Sequence, residues 1–197
     1  MERTGDWLDL TVRELLDGFA SEEPTPGAGS AAALVVALCA ALTSMVARSS
    51  PEWADSGAVR AQAERLRSRV APLAQADAEA YEEALVALGL PELVEREVRD
   101  ATIGGAVGRA AQVPLVIAEA AADAAALAAA VAADGAPERR GDVAGAALLA
   151  EAAARTAALL VRVNLTMAPE DDRIVRANAA AAAAAEAAQD AVAALGS

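Results

Sequence analysis

Asp77 stands on a stripe whose other members at helical spacing are apolar: Leu66, Val70, Leu73, then Asp77, then Ala80, Ala84 and Leu88. A carboxylate on an inward face must find a partner or border a cavity, because an unpaired buried charge is costly. Two roles fit that position. A displaced pKa would suit a general acid or base, whereas a helix cap or a pair with a neighbouring arginine would make the group structural. Tyr81, one helical turn on, either lines the same pocket or fills core. The second polar feature opens the run 24–47, PTPGAGSAAALVVALCAALTSMVA. There Gly27 and Gly29 bracket Ala28, Ser30 is expected as a helix N-cap, and the loop N–H groups with the helix dipole could hold an anion. The alternative is that these small residues only let helices cross closely.

Helices must carry these groups. With 197 residues the chain suits one domain, 1–197, with a real core. About sixty residues are alanine, and the aromatics are only Trp7, Phe19, Trp53 and Tyr81. Alanine is the best helix former and the smallest side chain after glycine, so the expected class is all-α with closely packed helices. Thr11 and Glu14 spell a capping box that predicts a first helix over 12–20, with Leu15, Leu16 and Phe19 on its apolar side. The helix over 31–47 is apolar on every side apart from Thr43 and Ser44. It falls just short of the roughly 18–20 residues that span a bilayer, so it is expected inside the protein and not in a membrane. A helix over 56–88 should kink at Pro72, and one from Pro91 to Asp134 should kink or restart at Pro114. Asp142 should cap a helix ending near Asn164, and Pro169 should open the last, over 170–195. The sum is an antiparallel bundle of six or seven helices, whose small side chains favour self-association through a helical face.

Composition also excludes. The net charge is −13 and all 16 basic residues are arginine, which argues against nonspecific nucleic-acid binding or attraction to an anionic membrane. Cys39 is the only cysteine and histidine is absent, so an internal disulfide is impossible and a zinc or haem site is disfavoured. The segment MERTGDWLDL lacks the apolar stretch of a secretory signal, and a cytoplasmic protein is expected.

Five stretches, in order, carry a resemblance: WLDLTVRELLDGFAS, the loop and helix PTPGAGSAAALVVALCAAL, AQADAEAYEEAL, QVPLVIA, and GDVAGAALLAEAA followed by VRVNL. Together they resemble the cyclodeaminase and methenyltetrahydrofolate cyclohydrolase family, the C-terminal domain of formiminotransferase-cyclodeaminase. The resemblance implies a helical subunit that forms at least a dimer, expected to be a homodimer, and binds a tetrahydrofolate derivative as substrate in a groove near the subunit interface. It implies closure of N5-formimino-tetrahydrofolate with loss of ammonia, or hydrolysis of the methenyl form to N10-formyl-tetrahydrofolate. Both reactions pass through a tetrahedral carbon between N5 and N10 and need proton transfer, with no metal and no tightly bound cofactor. By the same resemblance Asp77 becomes the general acid/base and Asp142 the second catalytic candidate. Asp142 and Asn164 would orient ligand or water, Pro26, Gly27, Gly29 and Ser30 would form the binding loop, and Tyr81 would line the pocket. Arg162 would meet the anionic end of the ligand or else form a surface ion pair.

The chain departs from the family pattern at several places. Ala28 replaces the middle glycine of the loop, SPEWAD replaces a lysine-containing segment, Ala136 replaces an asparagine, Gly141 replaces a serine, and Leu160 replaces the first asparagine of the VRVNL block. The expected pocket therefore offers fewer ligand hydrogen bonds, each worth roughly 0.5–1.5 kcal/mol. Two other functions fit such a pattern: a scaffold turned to addition, elimination or cyclisation on another small molecule, and a non-catalytic helical dimer.

Overall fold

The capping box works as its spacing predicts. In the computed structural model, Glu14 Oε2 accepts the Thr11 backbone N–H at 2.8 Å and Thr11 Oγ1 accepts that of Glu14 at 3.2 Å. The structure describes residues 5–93 and 95–196, so the first four residues of the segment MERTGDWLDL lie outside it. Seven α-helices and no strand occur among the described residues: α1 Val12–Phe19, α2 Ala28–Arg48, α3 Ser56–Val70, α4 Leu73–Leu88, α5 Arg96–Asp134, α6 Arg140–Asn164 and α7 Asp172–Ala193.

The protein is an all-α bundle built on the pair α5 and α6, with α2 and α7 packed on both and α4 lying along α5. Alanine makes this packing possible. Ala118, Ala121, Ala125 and Ala128 of α5 and Ala147, Ala150, Ala154 and Ala157 of α6 are fully buried, so neighbouring backbones approach closely. The largest fully buried side chains are Leu115 and Ile117, both on α5 just after Pro114. Cys39 is buried too, and burial pushes its thiol up to about 12, which leaves it unreactive.

The two prolines behave differently. Pro72 does not kink one rod but separates two: α3 ends at Val70 and α4 begins at Leu73. Pro114, in contrast, lies within a continuous helix of 39 residues. That helix begins at Arg96 rather than at Pro91.

The central helix has 21 residues, more than the span 31–47, so its length does not argue against a bilayer. By length and composition alone α2, α5 and the segment Pro137–Asn164 could each cross a membrane. Yet the outer surfaces of two of them carry charge. Exposed Glu119 and Asp123 of α5 pair with Arg176 at 2.6 Å and Arg69 at 3.1 Å, and Glu151 pairs with Arg155 on α6 at 3.4 Å.

Candidate active site

The first turn of any α-helix leaves backbone N–H groups without intrahelical partners. At α2 the N-cap is Gly27, which has no side chain to supply one, so the helix start at Ala28, Gly29 and Ser30 is open to an outside acceptor. That acceptor is Asp77, from the first turns of α4. Ser30 Oγ donates to Asp77 Oδ2 at 3.3 Å, and the Ser30 backbone N–H favours the same carboxylate.

Gly29 is what permits the approach. A Cβ built there would lie 2.2 Å from Asp77 Oδ1, so any larger residue displaces the carboxylate. Asp77 forms no ion pair with a described residue, and an arginine partner is thus not its role. Its pKa is raised: burial disfavours the charged form, and the hydroxyl and N–H of Ser30 pull only partly the other way.

A cavity of 270 Å³ opens above this carboxylate. The loop contributes Pro24, Thr25, Gly27, Ala28 and Gly29; α4 contributes Asp77 and Tyr81. The far wall comes from Ala110 and Pro114 of α5 and from Leu160, Val163 and Asn164 at the end of α6. Thr25 Oγ1 donates to the Glu82 carboxylate and so pins the loop to α4. Asn164 Nδ2 donates to the Ala110 carbonyl at 2.6 Å, tying α6 to α5 at the cavity edge. The Thr25–Pro26 peptide bond is cis.

The sequence-predicted residues divide into three groups. Gly27, Gly29, Asp77, Tyr81 and Asn164 meet at the cavity. Pro26 and Ser30 are buried just behind it, and Ser30 serves as the third helical residue and as a donor to Asp77 rather than as the N-cap. Arg162 is exposed on α6 and does not line the wall.

Asp142 does not join them. The helix begins at Arg140, so Asp142 lies in the first turn of α6 without a side-chain capping bond, and it is exposed. It precedes Asn164 by 22 residues, about 33 Å along the helix at 1.5 Å per residue. Asp142 and Asp77 therefore cannot share one cavity within a single chain.

The structure adds Pro24, Thr25, Ala28, Ala110, Pro114, Leu160 and Val163 to the lining. Of these, Pro114 carried a signal in the sequence as a helix-interior proline, and Ala28 and Leu160 as departures from the family pattern. No described residue has a positive φ, so Ala28 in place of the family's glycine bears no backbone strain. Among the described residues no three His, Cys, Asp or Glu side chains are placed to share a metal ion.

Comparison with known proteins places these features in context. The model of the family described as formiminotransferase-cyclodeaminase matches residues 11–184, a span that holds every residue of the cavity. A methenyltetrahydrofolate cyclohydrolase of Methylorubrum extorquens is 38% identical over 114 residues, covering 53% of this chain and 55% of that protein. The match thus spans about half the length of the curated relative. In fold, the chain superposes on the crystal structure of formiminotetrahydrofolate cyclodeaminase from Thermotoga maritima with a TM-score of 0.86 and 24% identity, covering 95% of this chain and 96% of the other.

Proposed function

The chain belongs to the formiminotransferase-cyclodeaminase family, and from that premise we propose that it is a folate-dependent cyclohydrolase or cyclodeaminase in which Asp77 transfers the proton. The observation that carries this is the Asp77 carboxyl itself: half-buried, raised in pKa, in no ion pair with a described residue, and facing a cavity. The 38% identity to a cyclohydrolase favours hydrolysis of the methenyl form as the activity to test first.

The proton accounting is simple. Water adds to the methenyl carbon between N5 and N10, and Asp77 accepts one of its protons as the C–O bond forms. The tetrahedral carbon then collapses to a formyl group on N10, its hydroxyl proton leaves to solvent, and Asp77 returns its own proton to N5 as the C–N5 bond breaks. A raised pKa suits a group that must take and give a proton in one turnover. A cavity of 270 Å³ takes the pterin ring and the reacting carbon, while the anionic tail runs outside it.

Self-association and location complete the proposal. We infer a homodimer through α1 and α2, because an apolar groove of 970 Å³ runs between Leu8, Leu15 and Phe19 on one side and Leu34 and Leu38 on the other. We also infer a cytoplasmic protein, supported by the exposed ion pairs on the long apolar helices, which lipid would not tolerate.

The test follows the near-ultraviolet absorbance of methenyl-tetrahydrofolate with wild type and Asp77→Asn. Loss of absorbance with wild type and its near-abolition in the variant is the expected result. A wild type that neither binds nor turns over folates would sink the proposal.

A further inference from the structure

Proline in a helix interior removes the N–H that should reach the carbonyl four residues earlier. For Pro114 that carbonyl belongs to Ala110, which is 5% exposed, so solvent is a poor substitute. The substitute is Asn164 Nδ2, 2.6 Å away, brought there by the last turn of α6. A carbonyl can only accept, so the amide orientation is settled by chemistry: the nitrogen faces Ala110 and the oxygen faces away. Asn164 Oδ1 accepts from no described residue, is not sealed from solvent, and belongs to a side chain on the cavity wall.

We propose that Asn164 is a specificity-determining residue whose orientation Pro114 imposes: with its nitrogen committed to Ala110, it offers the cavity an acceptor that selects a hydrogen-bond donor. In the folate reading, on which this rests, the donor is a pterin ring N–H or the attacking water. The far wall, opposite Asp77, is otherwise poor in acceptors, since Ala110, Pro114, Leu160 and Val163 present apolar side chains there. Pro114 and Asn164 thus form one device, although they lie on different helices 50 residues apart.

The device predicts non-additivity, read with Pro114→Ala, Asn164→Ala and the double variant. Asn164→Ala leaves the Ala110 carbonyl unsatisfied and should lower the melting temperature by about 3–8 °C. In the Pro114→Ala background the restored residue-114 N–H satisfies that carbonyl, so the same change should lower it by less than about 2 °C. Ligand effects should show the same coupling. With Pro114 in place, Asn164→Ala should weaken tetrahydrofolate binding about tenfold if the donor is a ring N–H, and by less in the Pro114→Ala background, where the amide is free to turn. If the donor is the water, it should lower kcat about tenfold at unchanged Kd. Equal melting shifts in both backgrounds would overturn the coupling. Kd and kcat unchanged by Asn164→Ala with Pro114 in place would overturn the acceptor role. A wild type that binds no tetrahydrofolate would overturn the folate reading instead, an outcome the melting measurements register separately.

Discussion

Asp77 sets stability against function. The fold raises its pKa, so it favours the protonated form over the carboxylate. The stabilisation that belongs to the protonated group is complete below the unfolded-state pKa of about 3.9 and is lost as pH rises through the higher folded value. Asp77→Asn should therefore lower activity by at least about 100-fold while leaving urea stability at pH 7 equal or higher. The gap between variant and wild type should shrink as pH is lowered through the folded pKa. A variant markedly less stable at pH 7 would mean that Asp77 serves mainly to cap α2. Gly29→Ala isolates geometry from charge. Its Cβ meets the Asp77 carboxyl at 2.2–2.5 Å, so the carboxylate must move, while alanine suits the helix backbone. Circular dichroism should be unchanged and kcat should fall by about tenfold or more; wild-type kcat would show that the position of Asp77 is not critical.

At the scale of elements, ends and junctions carry the specificity. Ser50, 6% exposed, accepts the Ala136 N–H at 2.8 Å and donates to the Val46 carbonyl at 2.8 Å, so it fastens the end of α2 to the turn between α5 and α6. Ser50→Ala strands the Ala136 N–H and should cost about 1–3 kcal/mol in denaturant unfolding, with little effect on the cavity. Local signals of this kind were legible where both partners lie close in sequence. Thr11 and Glu14 announced α1, and the alanine-rich runs announced long helices. Signals that depend on a distant partner were not. Pro72 and Pro114 look alike in sequence, yet one divides two helices and the other is carried inside α5, where Asn164 from α6 supplies the missing donor. Ser30 reads as an N-cap until the loop is seen to enter helix at Ala28, which makes the serine a partner of Asp77. Asp142 reads as a companion of Asp77 within one chain only while the length of α6 is ignored. Asp77 itself was legible, because a carboxylate at an apolar position is conspicuous without a partner in view.

The whole molecule places its large side chains unusually. Alanine and valine fill the interior, and among the described residues only Leu115 and Ile117 of the leucines and isoleucines are fully buried, whereas Leu8, Val12, Leu16 and Leu38 are 48–73% exposed. A chain this poor in large hydrophobes gains little from leaving four of them in water on one side of the bundle. They cluster there because α1 is amphipathic and turns its leucines and Phe19 toward the exposed face of α2, where they border a groove of 970 Å³. A second copy of the chain fits this groove better than a charged partner does, since the walls are apolar apart from Arg67 and Ser68, and a two-fold contact would bury the same leucines from both sides. Leu38→Glu tests it. Leu38 is 61% exposed within one chain, so a carboxylate there costs the isolated subunit little but would be buried twice across a two-fold contact. Sedimentation should show a dimer for wild type and half that mass for the variant, with helicity retained. Because one chain already brings Asp77, Tyr81 and Asn164 to the cavity, the monomeric variant should keep measurable turnover of methenyl-tetrahydrofolate. A monomeric wild type, or a variant that stays dimeric, would move the contact to another face. Complete loss of turnover in a folded monomer would show instead that the partner subunit completes the site.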